Sequence, residues 1–225
     1  MSAPLPRLAV FDVDGTLVDS QHNIIAAMSE AFETHGHPPP PPADVRRIIG
    51  LSLVEAVAAL LPGADPAHHG RVAETYGAMF AILRRRPDHS EPLFPGAVEC
   101  LTALGAAGFQ LGIATGKSRR GLQALLDRTG LGERFTTLHT ADDGPGKPHP
   151  AMLAAAMADT GIPADRTVMI GDTSFDMLMA RAAGTAGIGV AWGYHGVGDL
   201  EDAGAHQVVA TFADLPAAVA RLTGG

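Results

Sequence analysis

Apolar and polar residues follow two different rhythms along this chain, and the change of rhythm divides it. The run Leu8-Ala9-Val10-Phe11 is continuously apolar and stops abruptly at Asp12. A short apolar run closed by Asp and Gly predicts a buried strand, here over 7–12, running into a turn. From 17 to about 90 the spacing is helical instead. Ile24, Ile25, Met28, Ala31 and Phe32 recur at helical intervals within 21–36, and Gly36 supplies the stop. The five prolines Pro38–Pro42 must be extended or turn. Asp44 is placed to cap a short helix carrying Val45, Ile48 and Ile49, which Gly50 would end. Two further helical patterns cover 52–61 and about 66–86.

After the turn-rich link Pro92–Gly96 the pattern alternates. Helices are expected over 97–107, about 119–129, about 150–160, about 174–183 and 213–222. Strands are expected over 109–115, near 135–139, over 167–171, near 186–191 and over 207–209. Strand and helix in alternation predict an α/β fold, a Rossmann-like parallel sheet with right-handed crossovers. The all-helical stretch is then an insertion after the first strand. The expected division is a core from 1–16 and 91–225 and a helical cap from 17–90.

Composition narrows the partners. The formal net charge of −8 argues against nucleic acid and anionic membrane. No apolar run is long enough to span a bilayer, and no apolar leader precedes the first strand. The single Cys100 cannot form an intrachain disulfide and reads as a buried small hydrophobe. A soluble, reducing, cytoplasmic setting is the expectation, with the chain a monomer or homodimer.

The candidate chemistry sits at strand ends. Asp12 and Asp14 are two apart, so their side chains can point the same way at the end of the first strand. Such a pair needs a cation or a shared proton. The second long strand ends at Thr115-Gly116-Lys117; a hydroxyl followed by Gly can bind an anion, and Lys117 reads as a solvated helix-start residue. Lys147, one of only two lysines in the chain, lies in a loop stiffened by Gly146 and Pro148 and suits neutralisation of a negative oxygen. His149 reads as structural or surface, and Asp142 and Asp143 as solvated. The strand at 167–171 runs into Asp172, with Asp176 one helical turn on; helix capping by Asp172 is the competing reading. If these strands are adjacent and parallel, all four ends converge on one cleft. An all-oxygen ligand set with no His or Cys selects Mg²⁺ over Zn²⁺, and with a lysine it describes a phosphoryl-transfer site.

These residues, Asp12-Val13-Asp14-Gly15-Thr16-Leu17-Val18-Asp19-Ser20, then Thr115, Lys147-Pro148 and Gly171-Asp172 with Asp176, resemble the haloacid dehalogenase superfamily. They are most similar to its branch with a helical cap after the first strand, the phosphoglycolate phosphatase-like proteins. The resemblance implies a phosphatase acting on a small phosphorylated metabolite. Asp12 would be the nucleophile and Asp14 the general acid and base. Thr115 and the Gly116 N–H would hold the phosphoryl group, and Lys147 would neutralise charge. Asp12, the Asp14 carbonyl oxygen and Asp172 would bind Mg²⁺, with Asp176 in support directly or through water or Lys147. Thr16 would help hold Asp14. The cap would close as a lid, hinged near Leu17–Ser20 and Glu91–Gly96.

In the cap, Arg46, Arg47, Gly50 and Leu51 resemble the segment that faces the active site, which makes Arg47 a candidate for meeting a substrate anion. Arg84-Arg85-Arg86 reads more simply as a solvated helix end. No lysine falls between 17 and 90, which argues against the phosphonate-cleaving relatives, whose cap supplies a Schiff-base lysine. The presence of Asp14 argues against dehalogenation. A phosphosugar mutase, a pyrophosphatase or nucleotidase, and a non-catalytic phospholigand-binding protein are the competing functions.

Overall fold

Residues 5–87 and 89–224 are described in this computed structural model. The first strand, β1 (Arg7–Phe11), lies in the middle of a six-stranded sheet. It is joined by β2 (Phe109–Thr115), β3 (Thr137–Thr140), β4 (Thr167–Gly171), β5 (Ala186–Val190) and β6 (Gln207–Val209), in the order β3-β2-β1-β4-β5-β6. Every pairing is parallel. Phe11 stands opposite Ile113 of β2 and Ile170 of β4, so three strand ends that carry candidate chemistry are neighbours.

A parallel sheet is covered on both faces, which is why its strands read as unbroken apolar runs. Ala9 and Phe11 pack into one core with Leu111, Ile113, Val168, Ile170 and Ile188. The alternate residues Leu8 and Val10 pack into another with Ala114 and Met169. The first core is closed by α5 (Ala97–Ala106), α6 (Arg119–Thr129) and α10 (Leu215–Leu222). The second is closed by α7 (Ala151–Thr160) and α8 (Ser174–Ala183). Cys100 is buried in the first, as its apolar surroundings in sequence suggest.

The inserted stretch folds as α1 (Gln21–Thr34), α2 (Pro42–Ile48), α3 (Leu53–Leu60) and α4 (Pro66–Leu83), with an apolar cluster of its own built on Met28, Phe32, Val57, Val72 and Phe80. The two connecting segments run side by side: Phe94 N–H donates to Leu17 and Asp19 N–H to Pro92. Asp44 does not cap α2. The helix starts at Pro42, whose fixed φ and missing N–H suit a first turn, and Asp44 falls within that turn. A short helix not anticipated from the sequence, α9 (Val197–Asp202), lies between β5 and β6. No helix among the described residues is long and apolar enough to cross a membrane.

Candidate active site

Beyond the carboxyl ends of β1 and β4, three carboxylates and one ammonium are buried together. Asp12, Asp172, Asp176 and Lys147 are each at most 1% exposed. One carboxylate oxygen from each aspartate lies within 4.8 Å of the others. Lys147 Nζ is 2.8 Å from Asp12 Oδ1 and 2.6 Å from Asp176 Oδ1. These are ion pairs by distance, yet poorly angled, and among the described residues neither Asp12 oxygen has a hydrogen-bond donor. Asp176 uses its other oxygen to accept from the Thr173 N–H at 3.0 Å and hydroxyl at 2.7 Å, which fixes the first turn of α8. Thr173, not Asp172, is therefore the capping residue. Lys147 arrives on a loop whose Lys147–Pro148 bond is cis.

Close backbone approach makes the cluster possible. Gly15 has φ +88°, and a Cβ there would lie 2.2 Å from Asp172 Oδ2. A Cβ on Gly193 would lie 2.1 Å from the Asp172 Cβ. Only glycine fits at both positions.

Three carboxylates facing one ammonium leave two negative charges unbalanced in a buried site. Burial, aided by Asp176 and Asp14 and opposed by Lys147, pushes the Asp12 carboxyl from its ordinary 3.8 up to about 7. Asp172 is raised too, first by burial and then by Asp12 and Asp176. A divalent cation held by hard oxygen ligands would balance the charge and occupy the Asp12 oxygens that lack partners, so the residues fit Mg²⁺. A test follows in the metal-free protein. Between 3.8 and about 7 the folded state binds more protons at Asp12 than the unfolded state, so stability falls as pH rises through that window. In EDTA, Tm should be lower at pH 8 than at pH 5.5, and Mg²⁺ should raise the pH 8 value most. A Tm in EDTA that climbs from pH 5.5 to 8 would contradict this account.

Asp14 occupies a different environment. Its carboxylate accepts from Ser20 Oγ at 2.5 Å and Lys117 Nζ at 2.7 Å. Lys117 is thus not solvated. Its side chain is 7% exposed, and its ammonium also lies 3.3 Å from Glu91 Oε1. Burial alone would lower the Lys117 pKa, but Asp14 and Glu91 outweigh it and raise it. Glu91 is 1% exposed and further held by His89 at 3.1 Å and Arg128. Thr16 does not hold Asp14 either: its hydroxyl donates to Asp172 Oδ1 at 2.8 Å.

Thr115 is buried at the end of β2. Beside it, a Cβ on Gly116 would lie 2.6 Å from the Leu51 carbonyl oxygen and 2.7 Å from that of Gly50, so the cap rests directly on this strand end. Arg47 is not brought to the site. Its side chain is 79% exposed and lies near Asp44 on its own helix. The segment after β5, absent from the sequence reading, contributes instead. Tyr194 N–H donates to Asp172 Oδ2, Trp192 Nε1 donates to the Thr16 carbonyl, and Tyr194 Oη accepts from the Ser20 and Gln21 N–H groups. An aromatic pair among the glycines of Trp192-Gly193-Tyr194-His195-Gly196, just past a strand end, is the signal that could have revealed it.

The haloacid dehalogenase-like hydrolase profile matches residues 9–190, a span that contains every one of the acidic and lysine groups above. The chain belongs to this family. Among its relatives is the "Probable phosphatase IndB" of Dickeya dadantii, 37% identical over 211 residues, covering 92% of this chain and 91% of that protein. The phosphoglycolate phosphatase of Caulobacter vibrioides is 38% identical over 217 residues, covering 92% and 88%. Among solved structures, a hydrolase from Pseudomonas syringae superposes with a TM-score of 0.82 at 30% identity, covering 96% of this chain and 98% of that one. In this haloacid dehalogenase-like hydrolase the site lies where open parallel sheets place ligands, beyond the strand carboxyl ends.

Proposed function

We propose that the protein is a Mg²⁺-dependent phosphatase that hydrolyses a small phosphate monoester through an aspartyl phosphate on Asp12. The observation that carries this reading is the division of labour between two neighbouring aspartates. Asp12 faces Lys147 in the buried acidic cluster, whereas Asp14 is held by Ser20 and Lys117. The names of several relatives, which specify phosphoglycolate, favour a phosphate monoester as substrate.

In the first step an Asp12 carboxylate oxygen attacks phosphorus, the bond from phosphorus to the alcohol oxygen breaks, and Asp14 gives that oxygen its proton. In the second, Asp14 takes a proton from water, the water oxygen attacks phosphorus, and inorganic phosphate leaves with Asp12 restored. Thr115 and the Gly116 N–H hold the phosphoryl oxygens, and Lys147 offsets the repulsion between carboxylate and phosphate. Asp12, the Asp14 carbonyl oxygen and Asp172 would hold Mg²⁺, with Asp176 in support, and the ion would supply further positive charge there. Residues 17–90 act as a lid, and the Gly50–Leu51 backbone against Gly116 is its closed contact.

Two assays test this. Phosphate release from p-nitrophenyl phosphate should require Mg²⁺ and cease in EDTA, and acid-quenched enzyme should yield a phosphorylated Asp12 peptide. Free phosphate as product separates a phosphatase from a mutase, which would return it to a sugar. Lys117→Met should lower kcat roughly 10–100-fold with KM little changed, because Asp14 loses the group that orients it. An unchanged kcat would remove Lys117 from the mechanism.

A further inference from the structure

Above the phosphate site lies a cleft of about 500 Å³ between cap and core. At its floor are Asp12, Asp14 and Thr115. Its cap walls are mostly apolar, with Ile24 and Met28 from α1, Leu51, and Tyr76 and Phe80 from α4, and they carry Ser52, Glu55 and Arg84 as polar groups. Glycolate offers almost nothing to such walls. At about 30 Å³ per water the cleft has room for roughly 15 to 20 waters, and a two-carbon acid phosphate would leave much of it filled with solvent against hydrophobic side chains. Clefts of this size, apolar with a few placed polar groups, generally bury a larger ligand.

The cationic groups sharpen the point. Lys117 is engaged by Asp14 and Glu91, and Arg120 is exposed on α6. Arg84, at the end of α4, also lines the cleft. Its guanidinium carbon lies 5.1 Å from the Phe80 ring centroid, and among the described residues its buried Nε has no hydrogen-bond partner. Arg84 is half-buried, and as a cation on the cleft wall it is placed to meet an acceptor group of the ligand. The arginine reading of a solvated helix end thus fails at Arg84.

We infer that the substrate of this site is the phosphate monoester of a ring-bearing, largely apolar alcohol, carrying a carboxylate or carbonyl acceptor at the end remote from the phosphate. This rests on the phosphatase reading above and gives its alcohol. The ring lies along Tyr76 and Phe80, and the remote acceptor meets Arg84.

The test compares 2-phosphoglycolate, benzyl phosphate and 4-carboxybenzyl phosphate on the full chain with Mg²⁺. All three leave as alkyl alcohols, so fit rather than leaving-group reactivity is compared. The kcat/KM for 4-carboxybenzyl phosphate should exceed that for 2-phosphoglycolate by about ten-fold or more, with benzyl phosphate between them. Arg84→Gln should shrink the ratio of carboxybenzyl to benzyl ester. Gly77 lines the same wall, and a Cβ there meets nothing within 4 Å; Gly77→Leu narrows the cleft without disturbing the fold and should shrink the ratio of benzyl ester to phosphoglycolate. A preference for 2-phosphoglycolate, or ratios that neither variant moves, overturns the inference and leaves the phosphatase standing. Release of phosphate from none of the three, with p-nitrophenyl phosphate also inert, overturns the phosphatase reading and this inference with it.

Discussion

Asp12→Asn should lower kcat/KM by at least ~10⁴-fold, the scale seen when a nucleophile is removed from a group that acts as a unit. The same variant should be no less stable than the parent in EDTA at pH 8, and more stable if the acidic cluster is as strained as its geometry indicates. An amide keeps the shape of the side chain and removes one of three buried negative charges gathered within 4.8 Å. Loss of activity with retained or raised Tm is the signature of a residue placed for chemistry at the expense of stability. The fall of Tm with pH in EDTA should also shrink, since one of the two carboxyls raised by burial is gone and Asp172 remains. If Asp12→Asn turned over p-nitrophenyl phosphate at a comparable rate, the covalent route would be wrong. If it lost both activity and several degrees of Tm, Asp12 would be a structural partner of Lys147 first.

The sheet and the acidic cluster were legible in the sequence because each rests on local pattern. Leu8–Phe11 is apolar on both faces, and the charges follow it directly, so strand and site announce each other. Lys147 stood out through the scarcity of lysine and the rigid loop around it. What escaped depends on contacts across long separations. Lys117 looks like any polar residue after a strand. It is buried because Asp14, 103 positions earlier, and Glu91 converge on it, with the Phe80 ring 5.4 Å away. Arg47 reads as a cap residue facing the site, but α2 turns that side chain to solvent, while Arg84, two helices later, lines the cleft. The helix α9 is only six residues long, with Leu200 as its buried anchor, too little for a period to show.

Lys147→Met should destabilise the metal-free protein by about 3–5 kcal/mol, as expected when one partner of a fully buried charge pair is removed. The Lys147 side chain is 0% exposed and bridges Asp12 and Asp176. Burial alone would depress its pKa, but the two carboxylates outweigh that and hold it at about 12. Its stabilising contribution is therefore fully present below the unfolded value of 10.5 and is lost only as pH rises through about 12. Urea unfolding in EDTA between pH 6 and 9 should accordingly show a penalty that owes nothing to titration of Lys147 itself. Methionine nearly matches the lysine stem, so the change reports charge more than volume. The decisive comparison adds Asp12→Asn to Lys147→Met. With the ammonium absent, Asp12 is an uncompensated buried carboxylate, so neutralising it should return part of the lost stability, and the two substitutions should be markedly non-additive. Mg²⁺ should also recover stability in the single variant, by binding the folded state alone, while activity remains low because the phosphoryl group has lost its lysine. Additive effects would mean that Lys147 and Asp12 do not share an electrostatic site, and the charge balance argued for the cluster would fail with them.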